Sequence, residues 1–152
     1  MLSGIFSPAH RFLSQSESEQ LAQRVKDQEA RSSGEIRVYI ESHCPSMDPT
    51  VRAKEIFTNL RMHQTAQRNA VMIYIAFRDH DFALLGDIGI FQLAPNTFWH
   101  QQAKQLANHF HHKNHLEGLS LCIQAIGDLL QQHFPPSATP RNELPDEIVF
   151  GR

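Results

Sequence analysis

Two cysteines, no apolar run of membrane length and no excess charge of either sign define what this 152-residue chain lacks. Cys44 and Cys122 show no CxxC spacing, so they read as reduced structural thiols rather than a redox or metal pair. No segment approaches the roughly 20 consecutive apolar residues that span a bilayer, so no membrane insertion is expected. Fourteen basic residues against sixteen acidic, with a pI near 6.5, give no electrostatic reason to bind nucleic acid or an anionic membrane. The stretch from Met1 to Leu13 has neither the basic start nor the continuous apolar centre of a signal peptide, and a cytoplasmic protein is expected.

What is present is ordinary for one soluble domain: 41% hydrophobic and 20% charged residues. Ser16-Glu17-Ser18-Glu19 fits a capping box, which predicts a first helix from about Ser16 to Arg31. Its thin apolar stripe (Leu21, Ala22, Val25) predicts packing on the surface of a sheet rather than in the core. Glu35 to Glu41 alternates, with Ile36, Val38 and Ile40 on one face and Arg37 and Tyr39 on the other: a strand with one well-buried side. Asp48-Pro49 reads as an N-cap followed by proline at the first helical position. The helix beyond it sets Ala53, Ile56, Phe57 and Leu60 on one face.

Ala70 to Phe77 is apolar at nearly every position, as a central strand covered on both faces would be. Strand, helix, strand from Glu35 to Phe77 is then a βαβ unit with parallel strands and a right-handed crossover. The polar connection Arg78-Asp79-His80-Asp81 turns the chain back, so Phe82 to Ile88 returns antiparallel. Two more helices follow, from about Asn96 and from Leu116 to about His133. Phe134-Pro135-Pro136 stops the second and opens an extended tail. The predicted architecture is a three-layer α/β/α sandwich around a small mixed sheet. It divides into an extension over 1–13, an α/β domain over 14–134 and a Pro-rich tail over 135–152, docked through Leu144, Ile148 or Phe150.

With Phe77 facing Phe82, Asp87 falls opposite Met72 and close to Asn69, so polar residues gather at both ends of the sheet. At one end are Arg68, Asn69 and Asp87, with Thr65 nearby. A hard cation could take oxygens from Asp87 and Asn69, while Arg68 could hold a phosphate or carboxylate. The more economical alternative is that Asp87 caps a turn and pairs with Arg68. At the other end, beyond the carboxyl ends of the parallel strands, lie Asp48, Asp79 and Asp81 near Glu41. That is where open α/β sheets bind ligands, and these residue types suit calcium or magnesium. A DxD pair in a hairpin turn is equally well read as solvated turn chemistry.

His109, His111, His112 and His115 pair at helical spacing, but no third ligand follows, so an exposed helix end is the simpler reading. Trp99 recurs at helical spacing with Ala103 and Leu106, which places it in the core rather than in a binding lip with Phe98. Gly86-x-x-Gly89 is too short for a dinucleotide fingerprint and opens no immediate helix, so no nucleotide cofactor is expected.

The ordered set Ser33-Gly34-Glu35-Ile36, Ala53-Lys54-Glu55-Ile56-Phe57, Thr65-x-x-Arg68-Asn69, Ile73-Tyr74-Ile75-Ala76, Phe82-Ala83-x-x-Gly86-Asp87-x-Gly89-Ile90, Trp99, His133-Phe134-Pro135 and Asn142-Glu143-Leu144-Pro145 resembles the TPM domain family. The resemblance covers most of the chain from about Ser14 onward and points to the short, free-standing bacterial subclass. It implies a Rossmann-like sandwich without a nucleotide site. It also implies an accessory or binding domain that takes a divalent cation such as calcium, or a protein partner, at an acidic sheet edge. Membrane-anchored relatives are the partners it suggests. The family has also been called a phosphatase family, and the alternative it implies is a weak metal-dependent phosphatase. Against covalent versions of that chemistry, the chain has no Cys-x5-Arg loop and no DxDx[TV] nucleophile motif. Nor does it have a GxSxG elbow, a Walker motif or HExxH.

Overall fold

The computed structural model describes residues 12–136 and 148–151. In chain order the elements are α1 (Gln15–Glu29), β1 (Glu35–Glu41), α2 (Pro49–Asn59), a 3-10 turn (Met62–Gln64), β2 (Ala70–Ala76), β3 (Asp81–Gly86), α3 (Ile88–Phe91), α4 (Asn96–His111), α5 (His115–His133) and β4 (Ile148–Phe150). The sheet order is β3-β2-β1-β4. β1 runs parallel to β2 and to β4, and β3 is antiparallel to β2.

β2 sits in the middle because all seven of its residues are buried, which only a strand with cover on both faces can achieve. Val71, Ile73 and Ile75 face a core built with Leu21 and Val25 of α1, Trp99 and Leu106 of α4, and Leu119, Ile123, Ile126 and Leu130 of α5. Met72, Tyr74 and Ala76 face a smaller core with Ala53, Ile56 and Phe57 of α2 and with Met62. Helices therefore cover both faces, and the chain is a three-layer α/β/α sandwich.

Several local expectations are corrected. The capping box belongs to Ser14 and Glu17, which exchange both hydrogen bonds, so α1 starts before Ser16. The same S-x-x-E spacing occurs at both places, and the one nearer the buried Leu13 prevails. α1 does pack on the sheet, against β1, but Leu21 and Val25 are fully buried together with α5, so its stripe belongs to the larger core. β1 is buried on both sides: Arg37 is buried, and Tyr39 packs partly buried against the smaller core. β3 is shorter than expected and its register differs: Phe82 faces Ile75 rather than Phe77. The residues after Gly86 are not strand. Asp87 caps the short helix α3, so the Gly86-x-x-Gly89 stretch does open a helix at once.

Of the three residues expected to anchor the tail, Ile148 packs against the larger core. Phe150 pairs with Ile40 at the end of β4 but remains exposed, and Leu144 lies outside the described residues. β4 adds its three residues beside β1, and the Gly151 N–H continues the ladder by donating to the Ile40 carbonyl at 2.7 Å.

The two cysteines differ in environment: Cys122 is buried in α5 and burial pushes its thiol up to about 12, whereas Cys44 is partly exposed. Alkylation of the native protein at mildly alkaline pH should therefore label Cys44 and spare Cys122, with both reacting after denaturation. Peptide mapping that finds Cys122 modified in the native state would contradict this packing.

Candidate functional site

The parallel pair β1–β2 and the return of β3 place two polar clusters at opposite ends of the sheet. At the carboxyl end, Glu41 closes β1 and is almost wholly buried. The Arg52 guanidinium grips it with Nε at 2.9 Å and Nη2 at 3.0 Å, and the Tyr74 hydroxyl donates to the same carboxylate. Burial first, and then the Glu41 hydrogen bond, raise the Tyr74 phenol far above its usual range, so it stays a neutral donor. The Glu41 hydrogen bond raises Arg52 further still.

Asp79 is committed in a similar way. Its Oδ1 lies 2.7 Å from His43 Nδ1, and its Oδ2 accepts from the Cys44 N–H at 2.6 Å. The His43 hydrogen bond is the main reason, and the Cys44 N–H the second, that its carboxyl titrates below the ordinary value. Asp48 is the N-cap of α2 and accepts from the Thr50 N–H at 2.9 Å. Asp81 starts β3 and is exposed. Asp79 and Asp81 thus flank the turn where His80 adopts left-handed backbone, at φ 57°.

At the opposite end, Arg68 pairs with Asp87 in two parallel bonds, Nε to Oδ2 at 2.7 Å and Nη2 to Oδ1 at 2.9 Å. Asp87 Oδ1 also accepts from the Ile88 N–H as the cap of α3. Asn69 is fully buried; its N–H donates to Thr65 Oγ1 and its Nδ2 to Ser33 Oγ, both at 3.3 Å. Asn69 Oδ1 is buried with no partner among the described residues. The structure thus brings Arg68 and Asp87 together, with Asn69 beside them in the same loop, while Ser33 joins from the far end of α1's connection.

Acids at both ends are engaged within the protein. Calcium takes six to eight oxygens. Yet Asp79, Asp48 and Asp87 already spend oxygens on internal donors, and no three His, Cys, Asp or Glu side chains among the described residues converge on one point. Of the four clustered histidines, His109 and His112 reach carbonyls one turn back, and His115 reaches the Phe12 carbonyl.

What the sequence left unmarked at the carboxyl end is a cavity of about 570 Å³ between the tip of the β2–β3 hairpin and the end of α4. Phe12, Phe77, Phe82 and Phe110 form its walls, with Asp81, Lys113 and His115 among its polar residues. Phe12 stacks on His115 at 4.1 Å and meets Phe110 edge to face at 5.4 Å. These aromatics are scattered over four segments, so no local motif announces them.

Removing Arg52 should leave the buried Glu41 carboxylate with Tyr74 as its remaining donor among these partners. Arg52→Ala is expected to cost about 2–3 kcal/mol in denaturant melts. A loss below roughly 0.5 kcal/mol, the level of a surface pair, would show that this acid does not depend on the guanidinium.

The comparisons agree with this fold. The sequence matches the family model described as TPM domain over residues 8–129. The NMR structure of BA42 protein from the psychrophilic bacterium Bizionia argentinensis is 34% identical with a TM-score of 0.84, over 92% of this chain and 96% of that one. The N-terminal domain of cg2496 protein from Corynebacterium glutamicum, at 10% identity, has a TM-score of 0.63 over 86% of this chain and 81% of that one, and supports the fold alone. No curated protein matches. From the Ser33-to-Trp99 signature to the sheet order, the chain belongs to the TPM domain family.

Proposed function

We propose that this domain binds a protein partner at the carboxyl end of its sheet and is not built for catalysis. The observation that carries this reading is the aromatic-walled cavity beside Asp81, lying where open α/β sheets take ligands. Its volume suits one or two apolar side chains, and Asp81 and Lys113 supply polar groups at which a partner's own charges can be fixed. The acids nearby support the same conclusion: Glu41, Asp79 and Asp48 are held by Arg52, His43 and Thr50, as structural groups are. A divalent cation has less support at this edge because it would compete with those donors. A metal-dependent phosphatase has less again, since it needs the same acids free for both metal and water. Membrane-anchored members of the family remain the partners that the resemblance favours. Among the described residues no helix is long and apolar enough to cross a membrane.

Ala107 is exposed on α4 at the cavity. A photo-crosslinking side chain at position 107, introduced in cells, should give a discrete protein adduct. The same group at the exposed Leu121, on the outer side of α5, should not. Equal labelling from both positions, or none from position 107, would count against a partner site here.

A further inference from the structure

The end of the sheet away from that cavity carries a second cleft, of about 380 Å³, in which basic side chains outnumber acidic ones. Lys54 from α2, His63 from the 3-10 turn and Arg68 from the loop before β2 line it, together with Thr58, Gly86 and Asp87. We propose that this cleft is a binding site for a phosphate group, either as the free ion or as a phosphate ester.

The charge balance favours an anion. Among the described residues Asp87 is the single carboxylate in the lining, and Arg68 already neutralises it through Nε and Nη2. A guanidinium has five N–H donors, so this pairing leaves Arg68 with donors on Nη1, and its side chain is about half exposed (49%). Lys54 has no ion pair among the described residues, so its full charge is unspent. Thr58 adds a hydroxyl that can donate. His63 Nδ1 is buried without a hydrogen-bond partner among the described residues. The tautomer that leaves a bare acceptor at Nδ1 puts the proton on Nε2, which makes the ring a donor even when neutral.

The geometry is also fixed in advance. Arg68 holds a left-handed backbone, at φ 53°, a conformation that a non-glycine side chain keeps only when its surroundings impose it. Here the Gly89 N–H donates to the Arg68 carbonyl at 2.8 Å. A side chain at Gly89 would collide with the carbonyl oxygens of Gln67 and Arg68, so this close approach requires glycine. Main chain and side chain of Arg68 are therefore both pinned, and its remaining donors are presented without further ordering cost. Phe57 and Leu85 supply apolar wall, which strengthens charge-assisted bonds formed beside it. Donors arriving from three separate elements suit the several oxygens of a tetrahedral anion better than a flat carboxylate. This site is independent of the partner-binding reading, and either can fail without the other.

Inorganic phosphate and O-phosphoserine, each titrated into the full chain at constant ionic strength and followed by amide NMR shifts, test the proposal. Saturable shifts at Lys54, Thr58 and Gly86 are expected, with the hairpin tip at Asp79–Asp81 unmoved. Affinity should fall roughly tenfold in Lys54→Gln. Tighter binding of phosphoserine would assign the ester, and equal binding the free ion. Acetate at the same concentration should shift these amides far less. Absence of saturation at tens of millimolar phosphate would overturn the site, as would affinity unchanged in both Lys54→Gln and His63→Gln.

Discussion

The parallel pairing of β1 with β2 is the constraint on which the remaining structure depends. Seven consecutive residue pairs, Glu35 with Ala70 through Glu41 with Ala76, set two strands side by side that are both buried on both faces. Burying one large aliphatic side chain stabilises by about 1.5–3 kcal/mol, and β2 alone offers Val71, Met72, Ile73 and Ile75. That gain is realised only if both faces are covered. One face takes α1, α4 and α5, and the other takes α2 and the 3-10 turn. The edges are covered by β3 on one side and by the short β4 on the other.

The polar clusters follow from that pairing. Because β1 and β2 end together, Glu41 is brought beside Tyr74 and below Arg52 of α2. A buried carboxylate there is tolerable only with charge-assisted donors. His43 and Cys44 follow β1 directly, so they meet Asp79, which follows β2. At the starts of the strands the loop before β2 meets the end of β3, and Arg68 meets Asp87. The acids that draw attention in the sequence thus occur where the sheet must end, and Asp48, Asp79 and Asp87 hold a turn or helix in place there.

How much of this was legible depends on whether the governing interaction is local. The bounds of β1 and the Asp48-Pro49 start of α2 follow from alternation and capping, and both are found as read. The central position of β2 follows from its unbroken apolar run. The Arg68–Asp87 pair was within reach because a hairpin joins its partners. The register of β3 was misjudged because the turn takes Phe77 to His80, so Ala76 rather than Phe77 ends the pairing and Asp87 lies by Ala70. Arg52, Tyr74 and His43 were missed as the partners of the acids because only the folded sheet brings them together. The same holds for the cavity walls Phe12, Phe77, Phe82 and Phe110, and for Lys54 and His63, which only the fold brings to Arg68.

On the proposed reading, Asp79 and Asp87 hold turns of the fold in place and take no part in chemistry. Hydrolysis of an aryl phosphate with calcium or magnesium, measured for the purified protein and for Asp79→Ala and Asp87→Ala alongside their thermal melts, tests it most directly. Residues with a purely structural role give no metal-dependent release of phosphate above the buffer rate in the unaltered protein, and a lowered melting temperature in both variants. Metal-dependent turnover that disappears in either variant while its melting temperature is unchanged would contradict it.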